Sequence, residues 1–298
     1  MRLCIFNPEH DLCLAKGRAH YVPPRSAIEF ARRDADIMQV LYPDARCMSV
    51  YDPLLPAVLS GGQAFGDAVT AVTAWGWDAV VKHELLKHGC PEDLLPSDED
   101  INTIRQLQHR STILPLQPDC HEVTSIDGMQ LLLQQQPHWV MKAPWSGAGR
   151  GLRWVHGRLT DIDRQWLSKV VDQQRCIIAE PNRREACDRS GASPSSVADV
   201  ALEYRDGHFA GYSFFRTGSG VYKENVMWPD NMIVSHFSSH GLLQKKHEVE
   251  QWLTANVWPL YVGPLGVDLM VCVDGIHVAE INFRHTMGMV AHAKIASL

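Results

Sequence analysis

The stretch that most constrains this chain lies near its C-terminus. Gly266-Val267-Asp268-Leu269-Met270 is followed by Val278-Ala279-Glu280-Ile281-Asn282-Phe283-Arg284. Both segments read as strands in which isolated acids stand among apolar residues, and Asp274-Gly275 between them is a hairpin signal. Closing that hairpin brings Asp268 close to Glu280 and Asn282. The latter two are two residues apart, so in a strand their side chains leave the same face. Two carboxylates and an amide oxygen on one face make a hard, oxygen-only donor set of the kind Mg²⁺ takes, with phosphates filling the remaining positions. A carboxylate amid Val, Ala and Ile is costly to bury unless it is paired or metal-bound. The spacing therefore points to a metal-nucleotide site.

At 298 residues the chain exceeds a usual single core, and two or three subdomains are expected. The net charge of −6 and the absence of a basic stripe argue against a nucleic-acid partner. They leave room for small anionic ligands held by a few placed Arg and Lys residues. The eight cysteines follow no CxxC or finger spacing, and Met1-Arg2 runs straight into the strand-like Leu3-Cys4-Ile5-Phe6. Reduced, mostly buried thiols in a cytoplasmic protein are the expectation. No apolar run approaches ~18 residues, so no membrane span is expected.

Residues 1–110 read as an α/β domain with an open parallel sheet. Strand Leu3–Phe6 runs into a polar loop, Asn7 to Asp11. A helix capped by Ser26 covers Ile28 to Tyr42, a second strand covers Arg46 to Tyr51, and a helix spans Trp77 to Lys87. In such sheets ligands bind beyond the carboxyl ends of the strands, which makes Asn7, Glu9 and His10 candidate substrate contacts. A helix-capping or turn-forming loop is the competing reading. Ser97 opens the next helix, which ends at His109-Arg110-Ser111.

From 111 a second unit begins, with a helix from Ser125 to Gln136. Trp139 to Val155 then reads as strand, loop, strand. Its loop, Ser146-Gly147-Ala148-Gly149-Arg150-Gly151, leaves little side chain between backbone N–H groups and a ligand, and Lys142 on the incoming strand adds a cation. The loop returns to a strand instead of opening a helix, so it is neither a P-loop nor a dinucleotide fingerprint. A tight structural turn remains the alternative. Helix Asp161–Val171 and the buried strand Cys176–Ala179 follow, the strand ending in Glu180-Pro181-Asn182. A third unit holds strands Val197–Tyr204, Phe209–Arg216 and Ile233–Phe237, a helix His247–Tyr261, the C-terminal hairpin, and a last helix from Met287.

The ordered set resembles the ATP-grasp superfamily, whose members include carboxylate–amine ligases. It comprises a strand lysine before a small-residue loop, a strand ending in an acid and a linker, then Gly-x-Asp and Glu-x-Asn on successive strands. The resemblance covers essentially the whole chain. It implies mixed α/β and α+β architecture: a Rossmann-like pre-ATP-grasp domain (1–110), a central subdomain with the Gly-rich lid (111–183), and a C-terminal subdomain with the metal site (184–298). It implies ATP and Mg²⁺ as cofactors, with Asp268, Glu280 and Asn282 as metal ligands. Arg110, Lys142, Ser146, Gly147, Gly149, Arg150 and Gly151 would then face the phosphates, Glu180, Pro181 and Asn182 the adenine, and Asp188 or Glu185 the ribose. Arg284, Lys142 and Lys223 would stabilise charge during transfer.

The implied activity joins a small-molecule carboxylate to an amine through an acyl phosphate, releasing ADP and phosphate. A small-molecule kinase and a non-catalytic ATP-binding regulator are the alternatives, and a homo-oligomer is left open. One departure stands out. Several ligases of this fold carry an arginine two residues before the first metal acid, where this chain has Gly266; Arg284, Arg216 or Lys223 would supply that charge. Read one at a time, Asp268 is also a turn acid, Glu280 a paired acid in a sheet and Arg284 their partner. His236, His240, His285 and His292 lack metal spacing and are expected to be satisfied or solvated.

Overall fold

The first strand, β1 (Arg2–Ile5), is the centre of a parallel three-stranded sheet, flanked by β2 (Arg46–Met48) and β3 (Ala71–Ala74). The computed structural model describes residues 1–61, 68–147, 151–184, 198–218 and 221–297. The parallel arrangement matches the expected strand–loop–helix alternation, although β3 was not anticipated. Helix α1 (His10–Lys16) begins inside what reads as a polar loop. Helix α2 (Arg25–Arg33) starts one residue before the expected cap and gives way to a 3₁₀ segment, Ala35–Val40, instead of running on to Tyr42. Helix α3 is one short turn (Leu55–Leu59), and α4 (Ala79–Lys87) is capped by Asp78, whose Oδ1 accepts from the N–H groups of Val80 and Val81. Helix α5 (Asp98–Leu107) carries the expected cap at Ser97, completed into a capping box by Asp100.

The second sheet runs in the order β4 (His121–Val123), β7 (Ile177–Pro181), β5 (His138–Lys142), β6 (Leu152–His156), all antiparallel. Helices α6 (Ile126–Gln135) and α7 (Asp161–Gln174) cover it. Ser125 caps α6 as expected, and Thr160 caps α7 with Asp163 answering. Met129, Leu132, Leu167 and Val170 pack on Trp139, Met141 and Ile177 to form its core. Strand β7 continues through Pro181, which pairs with Trp139, whereas the proline was expected to end it. Its neighbour β4 stops opposite Ala179, so nothing on that side asks Pro181 for an N–H.

The third sheet is antiparallel, in the order β10 (Val221–Val226), β9 (His208–Gly218), β8 (Ala198–Arg205), β11 (Pro264–Cys272), β12 (Gly275–Asn282). One face packs on α8 (Asp230–Phe237) and α9 (Leu242–Asn256), through Ile233, Phe237, Val249 and Leu253 against Val200, Leu202, Val267 and Leu269. The segment 233–237 is helix, not the strand expected. Ile233 and Phe237 are buried while Ser235 between them is exposed, so burial repeats at four residues and not at two. The last helix, α10 (Met287–Ala296), sends Met289 and Val290 into a cluster with Phe6, Met38 and Trp75 of the N-terminal sheet. His285 tightens this junction. Its backbone N–H donates to the Trp75 carbonyl at 2.8 Å, Nδ1 lies 3.1 Å from the Ala74 and Trp75 carbonyls, and Nε2 lies 2.9 Å from the Tyr42 hydroxyl.

Candidate functional site

The C-terminal hairpin folds as its sequence requires. Asp268 stands opposite Glu280 and Gly266 opposite Asn282. Beyond Asp268 the register slips by one residue, so that Leu269 pairs with Val278 and Ala279 is bulged out. Without the bulge, Val278 and Glu280 would share a face. With it, Val278 is fully buried in the core while Glu280 faces the other side beside Asp268. Asn282 Nδ2 donates to Asp268 Oδ2 at 3.2 Å, and Lys142 Nζ lies 3.4 Å from the carbonyl of the bulged Ala279.

The second and third sheets face each other across a cleft. Lys142, Glu180 and Asn182 line it from one side, and Asp268, Met270 and Glu280 from the other. Lys142 pairs with Glu180 at 2.5 Å, both largely buried. Arg110 ties the walls together. Its Nη1 donates to the Ala143 carbonyl and to Ser146 Oγ, both at 2.6 Å, and its Nη2 donates to the Ser146 carbonyl and to Glu280 Oε2, both at 2.8 Å. The one guanidinium therefore holds both the start of the Gly-rich loop and an acid of the hairpin. Gly151 closes that loop, its carbonyl accepting from the Ala143 N–H at 2.8 Å.

Arg284 lies at the far end, half-buried, with Nη2 3.2 Å from Asp11 Oδ2 of α1. Burial alone would push the Asp11 carboxyl up; the charges of Arg284, His10 and Arg110 outweigh it and hold it below its ordinary range. Asp11 also packs on Gly147, where a side chain would overlap the carboxylate. The N-terminal sheet, the Gly-rich loop and the metal-motif strand thus meet at one point.

Of the expected site residues, Arg110, Lys142, Glu180, Asn182, Asp268 and Glu280 share the cleft, with Ser146, Gly147 and Arg284 at its edge. Lys223 is exposed on the edge strand β10 with its side chain against Gly218, and Arg216 of β9 pairs with Glu224 of β10 at 3.2 Å. Gly149, Arg150, Asp188 and Glu185 lie outside the described residues. The space beside Gly266 is taken by the Thr286 methyl and the Glu203 carboxylate, so an arginine would not fit there. Arg284 is the member of the expected substitute set that lies at the edge of the cleft, against Asp11.

Two acids on the cleft face were not anticipated. Asp199 receives Arg184 and, at 2.7 Å, the Thr217 hydroxyl. Glu203 is wholly buried and accepts from Ser213 Oγ and Thr286 Oγ1, both at 2.8 Å. The signal that exposes Asp268, an acid inside an apolar strand, is equally present in Ala198-Asp199-Val200-Ala201-Leu202-Glu203.

These acids bear on metal binding. Burial, with Glu280, Glu203 and Asp199 adding negative charge nearby, holds the Asp268 carboxyl well above its ordinary range. Among the described residues the buried Asn282 Oδ1 has no hydrogen-bond partner. A crowd of carboxylates with an orphaned amide oxygen is the donor set a hard divalent cation neutralises, so Asp268, Glu280 and Asn282 fit Mg²⁺.

The three-sheet arrangement and the cleft define the class: this chain has the ATP-grasp fold. It is similar over 100% of its length to 99% of D-cycloserine synthetase DcsG, with a TM-score of 0.55 and 12% identity. It is similar over 99% of its length to 92% of D-alanyl-alanine synthetase A from Vibrio cholerae, with a TM-score of 0.52 and 11% identity. No family model matches the sequence, and no curated protein is similar to it in sequence. Among the described residues no helix is long and apolar enough to cross a membrane.

Proposed function

We propose that this chain is an ATP-dependent ligase that joins a small-molecule carboxylate to an amine and releases ADP and phosphate. The observation that carries the reading is the convergence of Lys142, Arg110, Asp268 and Glu280 on one cleft between two antiparallel sheets. The division into a pre-ATP-grasp domain (1–110), a central subdomain (111–183) and a C-terminal subdomain (184–298) belongs to the same reading. Each of those ranges holds one of the three sheets.

In this reading the triphosphate lies along the cleft. Lys142 and Arg110 face its phosphates, and Glu180 to Asn182 face the adenine. Asp268, Glu280 and Asn282 hold Mg²⁺, which supplies charge neutralisation for the triphosphate when bound. Both cations are now paired with acids, Lys142 with Glu180 and Arg110 with Glu280. They are held in position before any phosphate arrives, which spares the transition state reorganisation. Arg284, fixed by Asp11, faces the end where the acyl phosphate forms and stabilises its developing charge. Ser146, held by Arg110, opens the loop that in this reading excludes water from that intermediate.

The test is thermal unfolding with ATP, with and without Mg²⁺, on wild type and Glu280→Ala. A site occupied at a hundredfold excess over Kd stabilises the fold by about 2.7 kcal/mol. A Mg²⁺-dependent shift that Glu280→Ala abolishes supports the reading, and no shift with any nucleotide removes it. Product analysis separates ligase from kinase, because a ligase releases free phosphate and forms an amide.

A further inference from the structure

The tip of the C-terminal hairpin carries a second set of ligating side chains, of a different chemistry from Asp268, Glu280 and Asn282. Cys272 ends β11 and pairs with Gly275, the first residue of β12, across the turn residues Val273 and Asp274. His277 stands opposite Met270, so Cys272 and His277 are diagonal neighbours on adjoining strands, a separation that side chains of this length span. His277 is also three residues beyond Asp274, and its Nε2 lies 3.1 Å from Asp274 Oδ1. One sulfur, one imidazole nitrogen and one carboxylate oxygen from these residues all lie within 4.8 Å of one another. Among the described residues no other group of three His, Cys, Asp or Glu side chains meets that condition.

The geometry suits a small tetrahedral ion. Ligand atoms around Zn²⁺ stand about 3.3–3.6 Å apart, and from 4.8 Å the thiol has at most about 1.5 Å to close. The His277–Asp274 pair is already near that spacing. Exposure grades inward: Asp274 is exposed, His277 half-buried and Cys272 buried. An ion therefore reaches the site from solvent and is held from the inside by sulfur.

Charge favours a cation as well. The Arg183 guanidinium is shared by two carboxylates, pairing with Asp119 through Nη2 and lying 3.8 Å from Asp274 Oδ2 through Nη1. One positive charge faces two negative ones. A turn ion pair accounts for Asp274 and His277, but not for a thiol converging on the same point. Thiolate and imidazole suit Zn²⁺, whereas Mg²⁺ takes oxygen.

We propose that Cys272, Asp274 and His277 bind a zinc ion, with water in the fourth position. On binding, the thiol passes its proton to solvent, and the ring hydrogen of His277 stands on Nδ1, leaving Nε2 to the metal. Asp268 and Cys272 are separated by about 13 Å of extended strand, so this ion is distinct from the Mg²⁺ of the cleft. Zinc at the tip ties the turn to both strands that carry Asp268 and Glu280. The site stands whether or not the cleft takes ATP.

The test is titration of the full chain with Co²⁺, after dialysis against a chelator and with thiols kept reduced by a phosphine. Cobalt is the optical probe, because thiolate ligation gives a charge-transfer band in the near ultraviolet and a tetrahedral site gives intense d–d bands. Expected is saturation at a single cobalt per chain, bleached by Zn²⁺ and untouched by excess Mg²⁺. The charge-transfer band should vanish in Cys272→Ala. In His277→Gln cobalt affinity should fall by more than about a hundredfold, since even partners outside the ligand shell are worth about 10–100-fold. Should Cys272→Ala fail to fold, Asp274→Asn carries the affinity comparison, because Asn serves a turn as well as Asp. The absence of a thiolate band, a band that survives in folded Cys272→Ala, affinity unchanged in His277→Gln and Asp274→Asn, or displacement by Mg²⁺ overturns the proposal.

Discussion

Replacing Glu203 by glutamine should make the fold more stable above neutral pH, and the size of the effect follows from where the carboxyl lies. Burial raises it from an ordinary 4.5 to about 7, against the opposing help of the Thr286 and Ser213 hydroxyls and the Arg284 charge. The folded state therefore holds this proton where the unfolded chain has lost it. From pH 4.5 to about 7 the native state binds more protons than the unfolded state, so stability falls as pH rises, and the loss is complete above pH 7. That interval corresponds to roughly 3 kcal/mol.

Glutamine keeps the shape and titrates no proton, and hydroxyls can turn to meet either end of its amide. The assay is urea unfolding of both proteins at several pH values, taking the difference between their stabilities so that other titrating groups cancel. Wild type should lose about 3 kcal/mol relative to Glu203→Gln between pH 4.5 and pH 8. A difference that stays flat with pH would mean that Glu203 is ionised in the fold at no cost, and the reasoning would fail.

Other expectations follow from the same contacts. Lys142→Met leaves Glu180 buried without its partner and should cost about 3–5 kcal/mol, most of it recovered in Lys142→Met/Glu180→Gln, as read by denaturant midpoints. Gly266→Ala drives a methyl into the Thr286 Cγ2, 2.6 Å from the new Cβ, and should cost about 1–3 kcal/mol; Thr286→Ser, which keeps the hydroxyl on Glu203, should restore most of it. Burial lowers His285 from 6.5 to about 4, so it contributes stability that is present above pH 6.5 and lost as pH falls through 4. His285→Asn should therefore lessen the acid sensitivity of unfolding by roughly 3 kcal/mol between those limits, measured by urea titration.

The hairpin shows what could be read in advance and why. Its turn, its pairing and its acids are local, set by Asp274-Gly275 and by polar residues interrupting apolar runs. The caps at Ser97 and Ser125 are local too, each a hydroxyl three residues before the N–H it accepts from. The segment 233–237 was misread because five residues are too few to separate a period of two from one of 3.6. Strands of three to six residues such as β3, β4 and β10 carry weak patterns of their own and are recruited by the sheets they join.

The sequence by itself determined the residue types of the site, their order, and the faces on which Asp268 and Asn282 stand. Tertiary structure decided which cations those acids meet. Arg110 reaches Glu280 across 170 positions, and Asp11 meets Arg284 across 273. No periodicity records such distances, because each contact exists only once separate sheets have packed. The same packing left Lys223 exposed on an edge strand, filled the space beside Gly266 with Thr286 and Glu203, and buried Asn7, Glu9 and His10, which a linear reading leaves in a polar loop.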